Sequence, residues 1–467
     1  MNVLLIQPPD AAPLVRPRRL RGPFSIPLSP PWDLLCLQTY LSQRSGHIAS
    51  LVDARFFSSL ETELPAALRS FPAPGLVIVN TATAEIGQVL GLLDIIKRAF
   101  PALPAGLCGQ HPSQFPESAM ALPRVDYVLA GDPEPILHSL LDCFTVETRR
   151  QRIPGLLMKG SEPKQAHWLK DLNSLNLPDW QSVFLAAYTG PPGLGGCMVR
   201  ARLSRGHTHC PADRAFGGGR EPFRLWRMDR FASCMQRASD KGIGEIFLAD
   251  PPGFWTPARL DQWCQVLAEV RNAVPWGLQM LPTLLSEDAI NQMRLLLCRR
   301  VVFLLPSCDR SNLRKYGCIL DARELARMFE ALRRAGIHPH AEVWMGGPEE
   351  PAGERHRVVR MLRALGFPSF SLHPFPYELD APICKEIEEE GPDPLEAWNR
   401  WALDPWNLPR PQAFWGGPEK TMALDADIQA AIRTVEGHPV RLLKQGWQAL
   451  RAGQVFRALT QSARLRT

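Results

Sequence analysis

The residues best suited to chemistry in this chain gather near its middle, at Ser204-Arg205-Gly206-His207-Thr208-His209-Cys210-Pro211-Ala212-Asp213-Arg214. His207, His209, Cys210 and Asp213 carry the nitrogen, sulfur and oxygen donors that bind zinc and related metals. No second pair of ligands follows at the spacing of a zinc finger or a metallohydrolase. Pro211 offers no ligand atom, and Arg214 is permanently cationic with no lone pair to donate. The expectation is a polar loop with incidental histidines, with a new metal site as the alternative. The eleven cysteines, at 36, 108, 143, 197, 210, 234, 264, 298, 308, 318 and 384, form no C-x-x-C pair. An odd number without regular spacing argues against a disulfide framework, so most are expected as small buried hydrophobes.

Two runs of strand and helix signals flank this loop. In the first, Val3 to Ile6, Ile48 to Val52, Leu76 to Asn80, Ala105 to Gly109 and Val125 to Leu129 read as short, fully buried strands. Helices alternate with them. One opens after Ser29-Pro30-Pro31-Trp32-Asp33, with Ser29 as its cap, and another runs through Leu90, Leu93, Ile96 and Phe100. Such alternation predicts a parallel sheet with helices on both faces, whose ligands bind outside the carboxyl ends of the strands. Those ends fall at Gln7-Pro8-Pro9, at Asn80 to Thr83, at Gly109 to Pro112 and at Gly131 to Glu134. Ile153 to Leu156 reads as one strand of a small hairpin. The second run has strands at Cys197 to Leu203, Glu245 to Ala249, Trp276 to Leu281, Val301 to Leu305, His340 to Met345 and Ser369 to His373. Its helices begin near Asp229, Pro257, Ser286, Asp321 and Ala352, and Gly336 is a helix stop.

With 467 residues, the chain should form two or three domains. Its 45% hydrophobic and 21% charged content describes a soluble globular protein. The formal charge of +6 comes from scattered arginines without a basic stripe, so nucleic acid is not an expected partner. The start Met1 to Pro9 reads as a buried strand, not a signal peptide, and no apolar run approaches the ~18 residues needed to span a bilayer. A cytoplasmic protein is expected.

The order of these pieces resembles the radical S-adenosylmethionine (SAM) superfamily, in its cobalamin-binding branch. In the first run the resemblance rests on four pieces. These are the opening strand with Pro8-Pro9, the Pro30-Pro31-Trp32-Asp33-Leu34-Leu35 helix start, Cys108-Gly109-Gln110-His111-Pro112, and Asp126 through Gly131-Asp132-Pro133-Glu134. In the second run it rests on the Ser204-Arg205-Gly206 lead-in, Ile246 to Asp250, Met345-Gly346-Gly347-Pro348-Glu349-Glu350, and His373 to Tyr377. The segment Leu172 to Trp180 is similar to the one joining the two domains in that branch. The resemblance implies an α/β architecture. A Rossmann-like (flavodoxin-like) cobalamin-binding domain would occupy 1–150, a connector 151–196, a partial (β/α)6 TIM-type barrel 197–388, and a cap with a basic helical tail 389–467. It implies cobalamin contacts at Pro8, Pro9, Thr81, Thr83, Gly109, His111, Gly131 and Glu134, and a barrel mouth lined by Asp250 and Gly346. The Asp-x-His-x-x-Gly signature is missing, so no protein histidine is expected at the lower axial site of the cobalt.

Departures from the family fall at its chemistry. There, Cys-x3-Cys-x2-Cys follows the lead-in and holds a 4Fe-4S cluster whose open iron chelates SAM. Here that register meets His207, Pro211 and Arg214, with Cys210 one position out. The family's glutamate in Gly-Ile-Glu-Ser has no counterpart in Leu304-Leu305-Pro306-Ser307-Cys308. Its glutamate before the second strand falls near Cys234, and its arginine after the third strand falls at Leu281-Pro282-Thr283. The expectation is a cobalamin protein without the cluster, acting as a non-radical cobalamin protein or as the partner of an active enzyme in a biosynthetic or modification pathway. SAM is a weaker expectation. The alternative is an active methyltransferase or carbon-skeleton-modifying enzyme whose cluster is unorthodox or shared, for instance with Cys197 and Cys234 joining Cys210. A plain α/β binding module would take up no corrinoid. In the tail, Leu443, Trp447, Leu450 and Leu459 could make one apolar face beside Arg441, Lys444, Arg451, Arg457, Arg464 and Arg466. Such a helix packs on its own domain or touches a membrane surface.

Overall fold

The computed structural model describes residues 1–9, 28–44, 46–162, 164–180, 185–188, 196–208, 210–211, 221–305, 314, 316–318, 322–345 and 370–374. His209, Asp213, Arg214, Gly346, the helix start near Ala352 and the tail lie outside these residues.

The first sheet is built from β1 (Asn2–Gln7), β2 (Ile48–Asp53), β3 (Leu76–Asn80), β4 (Ala105–Cys108), β5 (Tyr127–Leu129) and β6 (Leu156–Met158), in the order β2-β1-β3-β4-β5-β6. The first five are parallel. Their apolar runs are continuous because both faces are covered, and alternate residues feed different cores. Leu4, Ile6, Val77 and Val79 pack into one core, and Val3, Leu5, Leu76 and Ile78 into the other. The segment expected as a hairpin strand at Ile153 to Leu156 instead leads into β6, which pairs antiparallel with β5.

Helix α1 (Trp32–Arg44) is buried almost all round, which a helix between two sheets must be. Leu34, Leu37 and Leu41 face the first sheet, while Trp32, Leu35 and Tyr40 join the core of the second. Trp32 lies 5.5 Å from Phe231 and 6.0 Å from Trp180, ring centre to centre. Ser29 is not its cap. The Ser29 hydroxyl donates to the Pro30 carbonyl (3.2 Å) and accepts the Arg200 amide (2.7 Å), fastening the opening strand of the second sheet to this turn. Between Asp53 and Leu76, where the sequence pattern marks no helix, stands α2 (Leu60–Ser70), with Pro65 inside it and Leu64 and Leu68 buried. Next come α3 (Ile86–Ala99), α4 (Gln110–Gln114), α5 (Pro116–Ala121), α6 (Pro133–Asp142) and α7 (Glu147–Arg150).

The second sheet is parallel throughout and follows chain order. It runs through β7 (Cys197–Ala201), β10 (Ile243–Leu248), β11 (Trp276–Met280), β12 (Cys298–Leu305), β13 (His338–Met345) and β14 (Phe370–Pro374). Between β7 and β10 in the chain comes a separate two-stranded hairpin of β8 (Ser204–Arg205) and β9 (Arg224–Leu225). Helices α8 (Met228–Ser239), α9 (Pro257–Glu269), α10 (Glu287–Leu295) and α11 (Ala322–Arg334) lie between the strands. Their starts follow local chemistry. Thr256 accepts the Arg259 amide ahead of Pro257, and Ser286 accepts the Ala289 amide. Among the described residues no helix is long and apolar enough to cross a membrane.

Candidate functional site

At the carboxyl end of the first sheet, three of the four strand-end loops expected to hold a ligand are tied together. The Thr81 amide donates to the Cys108 carbonyl (2.8 Å), and the His111 amide donates to the Thr81 carbonyl (3.1 Å). The Thr83 hydroxyl lies 3.2 Å from Nδ1 of His111. Ser113 is the residue that sequence reasoning missed. Its hydroxyl donates to the Gly109 carbonyl (2.7 Å) and accepts the Gly131 amide (3.0 Å), so it joins the loops after β4 and β5. Asn80 reaches the fourth loop by donating to the Gln7 side chain (3.0 Å), just before Pro8, which is buried, and Pro9, which is half-buried.

His111 is fully buried, and its Nε2 has no hydrogen-bond partner among the described residues. Burial pushes its imidazole down to about 4, so the ring is neutral near pH 7. A buried polar atom without a partner is uncommon and points to a missing water or ligand.

Glu134, expected as a cobalamin contact, gives its carboxylate to Arg205. It is 0% exposed and receives two hydrogen bonds from Arg205 (3.1 and 2.6 Å). Arg205 also donates to Asp132 (3.0 Å), whose other oxygen pairs with Arg224 and accepts the Leu169 amide (2.8 Å). Arg224 reaches Glu221 (2.9 Å) and lies over the Trp168 ring at 5.3 Å. Burial opposes the Arg205 charge, but Glu134 and Asp132 outweigh it and hold the guanidinium well above its ordinary range. Gly131 serves backbone packing. Its φ is +110°, and a Cβ there would run into the backbone of His167.

The central loop leaves β7 through the hairpin. The Ser204 amide and hydroxyl both donate to Oδ1 of Asp250 (2.9 and 2.8 Å), at the carboxyl end of β10. Asp250 is fully buried, and its Oδ2 has no hydrogen-bond partner among the described residues. Burial pushes its carboxyl up to about 7, against the hydrogen bonds from Ser204 and the Arg202 charge. Gly206, with φ +81°, lies so close to Pro222 that no side chain fits. His207 is half-buried, and its amide donates to the Glu221 carbonyl (3.4 Å). Cys210 packs its sulfur against Gly253, where a Cβ would collide with it. Pro211 is exposed and reaches toward Gly317. Among the described residues no group of three or more His, Cys, Asp or Glu is placed to hold a metal ion.

No protein-family model matches the chain, and no curated protein matches its sequence. Solved structures do match its fold. The radical SAM methyltransferase TsrM from Kitasatospora setae, solved with cobalamin and a 4Fe-4S cluster bound, is 19% identical. That match covers 83% of this chain and 78% of TsrM, with a TM-score of 0.60. TsrM with tryptophan substrate and a SAM analogue aligns with the same TM-score at 18% identity, over 83% of this chain and 76% of TsrM. OxsB, a cobalamin-dependent SAM radical enzyme with aqua-cobalamin and SAM bound, is 13% identical, with a TM-score of 0.57. The match covers 86% of this chain and 55% of OxsB. The chain shares the fold of the cobalamin-dependent radical SAM enzymes, as the sequence resemblance implies.

Proposed function

We propose that this chain binds cobalamin on the radical SAM scaffold but does not hold the cysteine-bound 4Fe-4S cluster, and that it acts as a non-radical cobalamin protein or as the partner of an active enzyme. In this reading the first sheet is the cobalamin-binding domain and the second sheet the partial (β/α)6 barrel.

The observation that carries the proposal is the central loop on an otherwise retained fold. The register offers His207, Pro211 and Arg214 in place of three thiolates, and Cys210 is packed on Gly253. The proline and arginine side chains supply no ligand atom, so this set does not fit the cluster.

The first sheet fits a corrinoid better. Nε2 of His111 is a buried polar atom with no partner among the described residues, beside Thr83 and among the strand-end loops. His111, Thr83 and the loop at Pro8 and Pro9 would hold the group, which when bound supplies a redox-active cobalt ion. Glu134 and Gly131 would support the pocket from behind. The cobalamin named for TsrM and OxsB supports this reading.

The test is an anaerobic titration of the full chain with hydroxocobalamin, following the corrinoid spectrum and the iron content of one sample. Corrinoid bound with iron far below one atom per chain is the expected result. Close to four irons per chain after reconstitution would overturn it in favour of an active enzyme with unorthodox or shared ligands. Uptake of neither would leave a plain α/β binding module.

A further inference from the structure

Three segments far apart in the chain meet in one buried network. The turn 131–134 brings Asp132 and Glu134, the hairpin brings Arg205 and Arg224, and the connector brings the backbone of residues 167–169. The contacts span the two sheets, because the turn follows β5 and the hairpin follows β7. The carboxylates of Asp132 and Glu134 are almost fully buried, as are both guanidinium groups. Arg205 approaches Glu134 with two nitrogens, the geometry in which arginine is most specific.

The network continues toward the strand-end loops. The Gly131 amide donates to Ser113, Ser113 donates to the Gly109 carbonyl, and His111 lies between these two residues on α4. On the other side Arg205 stands five residues before Cys210 on the central loop. We infer that Arg205 and Arg224 are positioning residues for the corrinoid site. They hold the 131–134 turn, and through Ser113 the His111 loop, in the shape that accepts the ligand, and they make that face and the β8–β9 hairpin move as one unit. This rests on the corrinoid reading above. Closely packed hydrogen-bonded segments of this kind carry coupling between sites when both ends bias the same element.

The test is hydrogen exchange on the full chain, free and with hydroxocobalamin, in wild type and in Arg205→Met/Glu134→Gln. This pair of changes removes one cation and one carboxylate together, so no uncompensated charge is left buried. In wild type, corrinoid should slow exchange at 129–137 and also at the 204–208 and 221–225 segments. In the double variant, protection should remain at 129–137 and vanish at the hairpin, with corrinoid affinity about tenfold weaker. Hairpin protection that persists in the folded variant, or affinity within about twofold of wild type, would overturn the inference.

If wild type takes up no corrinoid, the corrinoid reading fails and the free proteins decide the network. Faster exchange at both segments in the variant sustains it, and unchanged exchange overturns it. Should the double variant not fold, Arg205→Lys keeps the charge, loses the two-pronged geometry and is read in the same way.

Discussion

Replacing Asp250 with asparagine should stabilise the protein above neutral pH and leave it unchanged in acid. The carboxyl is fully buried, its Oδ1 accepts from Ser204 twice, and its Oδ2 faces no partner among the described residues. Burial raises it from 3.8 to about 7, with Arg202 and the Ser204 donors opposing. The folded chain therefore binds this proton more tightly than the unfolded chain does. By linkage, the stabilising contribution is full below pH about 4, falls as pH rises and is gone above about 7. At about 1.4 kcal/mol for each tenfold change in proton affinity, the loss is on the order of 4 kcal/mol. Asparagine has the shape of the protonated acid, can accept both Ser204 bonds, and does not titrate. Melting curves of wild type and Asp250→Asn from pH 4 to 8 should coincide at the acid end and diverge by several degrees at pH 8, with the variant higher. A variant that melts below wild type at pH 8, or a gap that does not change with pH, would refute the assignment of Asp250 as a buried, proton-holding carboxyl.

Burial acts in the opposite sense on His111, whose imidazole falls to about 4. Its contribution is full above pH about 6.5 and is lost as pH falls toward 4, so wild type should lose on the order of 3 kcal/mol against His111→Gln over that range. Parallel melting curves would contradict this. Gly131→Ala should cost about 2–4 kcal/mol, because a side chain there meets the His167 backbone at a φ suited to glycine. An unchanged denaturation midpoint would contradict it. Gly253→Ala should push Cys210 off its seat and speed its alkylation by iodoacetamide, and an unaltered rate would show that the sulfur does not pack there.

Much of the architecture was legible in the sequence. Val3 to Ile6, Leu76 to Val79 and Val301 to Leu305 are continuous apolar runs, the pattern of a parallel strand covered on both faces. The absence of three cysteines in register after Ser204-Arg205-Gly206 is also a property of sequence alone, since side-chain chemistry decides which residues offer a lone pair. α2 was not legible, because Pro65 and scattered acids blur its period. The role of Ser29 was misread because a serine before a helix has two uses, capping and bridging, and only the position of Arg200 decides between them.

Glu134 shows the same limit at the candidate site. The sequence marks it as a polar residue at a strand end, where ligands bind. Tertiary structure gives its carboxylate to Arg205, 71 residues away, and brings Ser113 between Gly109 and Gly131. Local pattern determines which elements form because it reflects burial and backbone geometry within a few residues. Which charges meet depends on how two sheets pack across α1, and no spacing in the chain records that distance.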